Sequence, residues 1–577
     1  MGHQFTHSNS KRRASVVHGS VGKAGLFLPQ DFIHNRNIRD EESTSEARNT
    51  LPQETSPLLA VGDDGPKGRR HSSYDHDILE QERDLLKYSH YPMNDGETDG
   101  EIVASFEDAV LAHRISTNTW IEFVALIKSA LPLVVTFLLE SSFPTVSVFS
   151  VGHLGATELA AASLGSMTAN ISGYATIQGI ATALDTLCPQ AFGASKYHLV
   201  GSYVQKCIAL TTVVMVPILL IWTFVGYELV RLIVPDESTA KLASSYLLYI
   251  APGIPAYILF ESGKRYLQAQ GIYHISTYVL FVCAPLNAFM NILLVKHIGY
   301  LGAPIAVAIN YWLMCLGLFF STLYLVKPEN TPSGHHPLVC WNGLNITDAF
   351  SGWTRLLPLA IPGLIMLEAE FLYFEFMTLM ASYLGTVPLA AQSIGSTVAA
   401  LTYQIPYAIG IAGSTRIANF LGAGLPDAAK LSTKVSLSFG TSTSVTSFVF
   451  LYIFRRHIAL LFTSDERVIS TLTKVMWLIA LMQVSDGMNA NSAGCLRGQG
   501  RTKIGGIVNF VSYYIVGLPL SYYLAFHSGI KGKLDGLWIG CLLALTIIGV
   551  VQSYYALAAN YPKLCREVTQ RVSNDAR

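Results

Sequence analysis

The chain runs to 577 residues, of which 51% are hydrophobic and only 14% charged, about half the charged share of a soluble domain, and its mean hydropathy is +0.38. With 39 basic residues against 39 acidic ones, no global basic surface points to nucleic acid. The eight cysteines are scattered, with no CxxC pair and no Cys/His cluster at metal spacing, so free thiols are expected and neither a metal nor another cofactor.

The start, Met1-Gly-His-Gln-Phe, lacks the apolar core of a secretory signal, so insertion would rely on the first internal apolar helix. Residues 1–115 hold 13 basic and 19 acidic residues, few aromatics and no sustained apolar period. Such a segment buries too little surface to offset chain entropy and is expected to be a disordered cytosolic tail. Only the stretch from Asp77 to Tyr88 has the pattern of a short helix. Lys11-Arg12-Arg13-Ala14-Ser15 sets a serine behind basic residues, as basophilic kinases prefer. Glu54-Thr55-Ser56-Pro57-Leu58-Leu59 looks like an acidic dileucine signal, read by a sorting adaptor.

From Trp120 the pattern changes to apolar stretches of about 20 residues, enough to span about 30 Å of hydrocarbon. Twelve are predicted, at about 121–148, 157–186, 199–225, 238–262, 273–295, 302–326, 354–382, 388–414, 429–454, 469–495, 504–526 and 536–559. Prolines such as Pro132, Pro285, Pro362 and Pro406 fall inside them, which membrane helices tolerate when neighbours satisfy the freed carbonyls. Twelve such segments in series predict an all-α polytopic membrane protein.

Lysines and arginines assigned to loops on the tail's side number 12: Lys196, Lys206, Lys264, Arg265, Lys327, Arg355, Arg416, Lys430, Lys434, Arg497, Arg501 and Lys503. The opposite loops hold nine, and Lys563, Arg566, Arg571 and Arg577 follow the last segment. Both termini are therefore expected in the cytosol, and the sequon Asn345-Ile346-Thr347 would stay unglycosylated there.

The chain repeats itself at a shift of 230. Leu154-Gly155-Ala-Thr-Glu-Leu159-Ala160-Ala161-Ala-Ser163-Leu-Gly165-Ser166 matches Leu384-Gly385-Thr-Val-Pro-Leu389-Ala390-Ala391-Gln-Ser393-Ile-Gly395-Ser396 at eight of thirteen positions. Near the same shift, Leu267-Gln-Ala-Gln-Gly271 echoes Leu496-Arg-Gly-Gln-Gly500. The expected organisation is an N-lobe of six helices over 116–326, a cytosolic inter-lobe loop over 327–351, a C-lobe of six helices over 352–560 and a cytosolic tail over 561–577. Six being even, the lobes are related by a pseudo-twofold along the membrane normal, which suits alternating access around a site between them.

The same residues resemble the multidrug and toxin extrusion (MATE) family in its eukaryotic, fungal form. The matching segments are Val151-Gly-His-Leu-Gly155, Ala183-Leu-Asp-Thr-Leu187, Gln190-Ala-Phe-Gly193, Tyr266-Leu-Gln-Ala-Gln-Gly271, Ala391-Gln-Ser-Ile394, Arg416-Ile-Ala-Asn-Phe-Leu-Gly-Ala-Gly424 and Leu496-Arg-Gly-Gln-Gly500. The resemblance covers Trp120 to Leu557. It implies twelve helices in two lobes, a central cavity, and secondary active export of organic cations, drugs or toxins in exchange for H⁺ or Na⁺, protons being usual in eukaryotic members.

An ionisable side chain near the membrane centre costs about 2.5–3.5 kcal/mol and is a functional candidate by default. The seventh segment offers Glu368, Glu370 and Glu375. At about 100° per residue, Glu368 and Glu375 share a face while Glu370 points about 140° from Glu375, so periodicity pairs Glu368 with Glu375. The resemblance instead matches Glu370 and Glu375, with Phe371 among the aromatic positions, and leaves Glu368 as an interfacial residue; the phase change this needs is ascribed to Pro362. The resemblance also implies a coupling role for Asp486, which beside Gly487 could otherwise serve as a cap or kink partner. Glu140 lies mid-segment in the first half, where relatives often have Gln. Asn170 and Asp185 match polar positions of the family, Asp185 fitting a backbone-bonding role equally well, and Gln392 and Tyr403 match polar contacts to the cavity. Thr397 stands where some relatives carry a further glutamate.

A carboxyl in an apolar, closed cavity holds its proton readily, and opening toward an acidic compartment protonates it. Protons and lipophilic cations would then compete for one negative charge, with aromatic faces contributing about 0.5–2 kcal/mol each. No G-x-x-x-x-G-K-[ST] segment supports a nucleotide-driven pump, and no His/Asp/Glu or Ser/His set at one depth supports a hydrolase, so the chain is not expected to be an enzyme. The alternative is a flippase for lipid-linked oligosaccharides or lipids, which would want basic cavity residues for pyrophosphate. A monomer is expected, in the vacuolar membrane rather than the plasma membrane, whose acidic lumen would supply protons.

Overall fold

The computed structural model describes residues 117–233, 236–328, 331, 335–527 and 533–576. The Ser15 and Leu58-Leu59 motifs and the helix expected from Asp77 lie outside the described residues. Among the described residues there are helices and no strand. α1 spans Thr119–Val151 and starts at Asn118, whose side chain accepts the Ile121 amide, one of the donors a helix start leaves over. α2 is composite: Ala156–Ala169, a π-helical turn at Asn170–Ala175, then Thr176–Ala181 and Leu184–Gly193. α3 is Tyr197–Phe224, α4 Glu237–Ala269, α5 His274–Ile298 and α6 Gly302–Tyr324. The second half follows with α7 Leu357–Leu384, α8 Thr386–Gly422, α9 Pro426–Phe462, α10 Glu466–Gly498, α11 Thr502–Phe526 and α12 Lys533–Leu557.

Each predicted interval falls on a helical stretch. Nine stretches among the described residues are by themselves apolar and long enough to cross a membrane, one of them, His274–Tyr324, holding both α5 and α6. Two helices are outside that set: α2, which is broken into shorter pieces, and α8, which buries polar side chains, among them Gln392, Ser414, Thr415, Arg416 and Asn419.

Two lobes result, α1–α6 and α7–α12, each around its own apolar core. At one end they fuse: the N-lobe core continues into Ile417, Phe420 and Leu421 of α8 and Leu496 of α10. Glycine permits the closest approach there. A Cβ on Gly193 would overlap the Asn419 carbonyl, and one on Gly422 would overlap the Gln190 carbonyl. Gly193 and Gly422 stand 229 apart, as do Gln190 and Asn419, so the contact is reciprocal, as a pseudo-twofold requires. Thr186 Oγ1 donates to Arg497 O at 2.5 Å and Gln190 Nε2 to Gly498 O at 3.1 Å across the same seam. Arg416 of α8 and Glu122 of α1, both buried, form an ion pair alongside.

These contacts correct the charge count. Lys264, Arg265, Arg416 and Arg497 are 2–5% exposed and lie within helices, not in loops. The helices continue to Ala269, Gly422 and Gly498, past the ends expected at 262, 414 and 495. Without them eight cations face nine, and the loops no longer favour either orientation.

The inter-lobe loop packs on α3. Ser202 and Lys206 both reach Asp348, at 2.7 and 3.0 Å, and Gln205 spans Gly343 O and the Asn345 amide. Burial works against the Asp348 charge, but Ser202 and Lys206 together hold its carboxyl below the ordinary range. The last residues are helical, α13 at Tyr561–Asp575, and lie under the fused end.

Candidate functional site

Between the lobes lies a cavity of about 440 Å³, lined by α1, α2, α4 and α6 from one side and α7, α8 and α10 from the other. On α7 its lining residues are Leu367, Glu370, Phe371 and Phe374, the i, i+3, i+4, i+7 face of a regular helix. α7 is one continuous α-helix through Pro362, so no phase change rescues Glu375, which is absent from the lining. The pairing of Glu370 with Glu375 is corrected on that ground. Periodicity does set Glu368 and Glu375 on a common side, which flanks the lining face rather than forming it. Glu368 accepts from Thr176 Oγ1 at 3.2 Å and joins α7 to α2.

Asp486 on α10 reaches the cavity beside Glu370. Asn489, one turn on, donates its amide to Glu370 Oε2 at 3.4 Å and also reaches Asp486, while Tyr403 of α8 touches Glu370. Asp486 Oδ1 is buried without a hydrogen-bond partner among the described residues, and neither carboxylate has a cation within ion-pair distance there. Gly487 does not act as a kink partner for Asp486; a Cβ on it would overlap Ser444 of α9, so it serves helix packing. Tyr403 stacks on Tyr407 at 5.6 Å, and Phe371, 44% exposed, fills the mouth of this wall.

The facing wall is differently built. Glu140 of α1 pairs with Lys264 of α4 at 2.7 Å, and Lys264 pairs with Glu261 at 2.7 Å. Glu261 also holds Arg265, whose Nε lies 3.2 Å from Asp185. Three carboxylates and two cations form one chain, from the cavity surface at Glu140 to the buried floor at Asp185. Asp185 is not in the lining; its role in this structure is the ion pair with Arg265. Tyr174 packs edge-on against Tyr257 and Tyr311, which are tilted against each other, with centroids 4.9–5.7 Å apart, and Gln178 donates to the Tyr257 hydroxyl at 2.7 Å. Asn170, exposed, opens the π-helical turn that carries Tyr174 into the cavity, a deformation that recurs at functional sites. Gln392 is fully buried one turn from the lining and donates to Ser396, which does line it.

Sequence reasoning therefore missed Glu261, Lys264, Arg265, the three tyrosines and Asn489. The signal for the first three was present: Glu261, Lys264 and Arg265 sit at i, i+3 and i+4, the spacing of helical ion pairs. The eight cysteines are free, and among the described residues no group of three or more His, Cys, Asp or Glu is arranged to hold a metal.

A two-lobed helical membrane bundle closed at one end over a polar cavity is the framework of a secondary transporter, not an enzyme. The chain belongs to the MatE family of multidrug and toxin extrusion transporters, whose family model matches residues 132–293 and again 362–523, two matches separated by the same shift of 230. An uncharacterised transporter of Saccharomyces cerevisiae is 39% identical over 562 residues, covering 97% of this chain and 77% of its own. Protein DETOXIFICATION 17 of Arabidopsis thaliana is 32% identical over 77% of this chain and 91% of its own. The crystal structure of the eukaryotic MATE transporter AtDTX14 superposes with a TM-score of 0.71 at 27% identity, covering 79% of this chain and 99% of that one.

Proposed function

We propose that the chain is a proton-coupled antiporter that exports organic cations, drugs or toxic metabolites, with Glu370 and Asp486 as the exchange site. The observation that carries this reading is the contrast in counter-ions: the carboxylates of the N-lobe wall are ion-paired, whereas Glu370 and Asp486 face the cavity with none among the described residues. A carboxylate so placed needs a proton or a guest cation to neutralise it, and each displaces the other. Phe371, Phe374 and Tyr403 supply aromatic faces for a lipophilic cation. The cations that follow α12, Lys563, Arg566, Arg571 and Arg577, favour a cytosolic fused end with both termini there, and on that reading the cavity described here is the outward-facing one.

Lys264 and Arg265 line the cavity, as a flippase for pyrophosphate-linked lipids would require, but each is already neutralised by Glu140, Glu261 or Asp185. Lipid-linked cargo with a fixed negative charge is thus the weaker fit. Purified protein in liposomes with an acidic interior should accumulate a fluorescent cation under ΔpH and not under ΔNa⁺ alone. Uptake that survives Glu370→Gln and Asp486→Asn together overturns the assignment.

The vacuolar membrane is proposed as the compartment, its acidic lumen being the proton source and Glu54-Leu58-Leu59 the sorting signal. Imaging a tagged chain with Leu58 and Leu59 changed to Ala tests this; an unchanged distribution removes the signal from the account.

A further inference from the structure

We infer that α13 is a latch that holds the lobes together at the fused end, with Arg571 and Asp575 as the residues that grip. The inference rests on the alternating-access reading above and adds what sets the resting conformation. The base of α13 belongs to the C-lobe: the Tyr561 hydroxyl donates to Ala556 O at the end of α12 and accepts from Gln499 beyond α10, at 2.9 and 3.0 Å. Its buried stripe, Cys565, Val568 and Val572, joins the core shared by both lobes.

The far end of α13 holds the N-lobe. Arg571 donates to the Gln190 side-chain oxygen at the end of α2, while the amide of the same Gln190 binds Gly498 O of the C-lobe. Asp575 accepts from the Tyr203 hydroxyl of α3 at 2.7 Å and pairs with Arg355, just before α7, at 3.1 Å. Arg571 thus ties α13, anchored on the C-lobe, to the N-lobe, and Asp575 joins α3 to the segment entering α7. Opening the cavity at this end requires the lobes to part along this seam, and neither grip survives that motion. A charge-assisted hydrogen bond is among the stronger single contacts in a protein, so two of them bias the equilibrium toward the closed end. Nothing in transport chemistry needs Arg571 or Asp575, which lie outside the cavity; they are positioning residues.

The test uses the full chain in liposomes, with spin-labelled side chains introduced by genetic encoding at His198 and Lys430, both exposed and one on each lobe beside the seam. Arg571→Ala and Asp575→Asn are each expected to raise the longer-distance population roughly tenfold. Tyr203→Phe, which removes the Asp575 partner without touching α13, should shift it the same way. Asp575→Glu and the exposed Lys563→Ala should match the unaltered chain. Variants that keep the unaltered distance ratio overturn the latch. If acid or an added cation still opens the seam in the unaltered chain, only the latch falls; if no condition yields a second distance, the alternating-access reading falls with it.

Discussion

Glu140 meets an ammonium 2.7 Å away; Glu370, on the facing wall, meets an asparagine amide at 3.4 Å. Both are glutamates on a membrane helix facing one cavity, and both are candidates by the same reasoning about intramembrane charge. Their surroundings separate them. On the N-lobe wall the cations come from α4, two residues that sequence alone places beyond a helix end, and they lock the carboxylates into a chain. On the C-lobe wall Asn489 and Tyr403 contact Glu370, and among the described residues no cation comes within ion-pair distance, Arg497 acting on it only from further off. On the proposed reading the wall with fixed pairs is the scaffold and the wall with unpaired carboxylates is the exchange site.

That contrast breaks most visibly at Lys264. Lys264→Met leaves Glu140 and part of Glu261 buried without a cation, which is expected to cost about 3–5 kcal/mol, seen as a lower melting temperature in detergent. Adding Glu140→Gln to Lys264→Met should recover most of that loss. A full recovery of stability with retained ΔpH-driven uptake would sharpen the division between the walls. Neutralising the C-lobe pair should act on transport instead. If each carboxylate contributes roughly 1.4 kcal/mol to cation binding, Glu370→Gln or Asp486→Asn alone lowers uptake about tenfold and both together about 100-fold, with little change in melting temperature.

Smaller effects mark the edge of the site. Tyr403→Ala should weaken a lipophilic cation by about 0.5–2 kcal/mol, measured as a rise in the half-saturating concentration, and leave a small hydrophilic cation less affected. Glu375→Gln, beside the lining face of α7 and outside the cavity lining, should change uptake by less than about twofold, as substitutions away from specific contacts do. A loss there as large as at Glu370 would place the cavity on the wrong face of α7.

The architecture was legible because its signals are local and redundant. Each apolar interval is about the length a bilayer demands, and the 230-residue shift appears in letters before it appears as matching glycine contacts at Gly193 and Gly422. Much of the C-lobe wall was legible too, since Glu370 and Asp486 are charges in otherwise apolar segments. What stayed hidden has two causes. The ends expected at 262, 414 and 495 fall just before Lys264, Arg416 and Arg497, yet these residues and Arg265 are kept inside helices by ion pairs, ring faces or packing, most of it with residues far away in the sequence. Asn489 and the tyrosines at 174, 257 and 311 were invisible for a different reason: uncharged or aromatic, they read like the rest of a membrane helix. On α7 the helical period alone placed Glu368 and Glu375 together correctly, but nothing in one helix says which side meets the cavity.

The most direct trial compares two variants in the same acid-loaded liposomes: Glu370→Gln/Asp486→Asn against Glu140→Gln/Lys264→Met. The account predicts that a pH difference still drives a fluorescent cation inward through the second and fails to do so through the first. Driven uptake by the first and none by a folded second would assign the exchange to the N-lobe wall and contradict it.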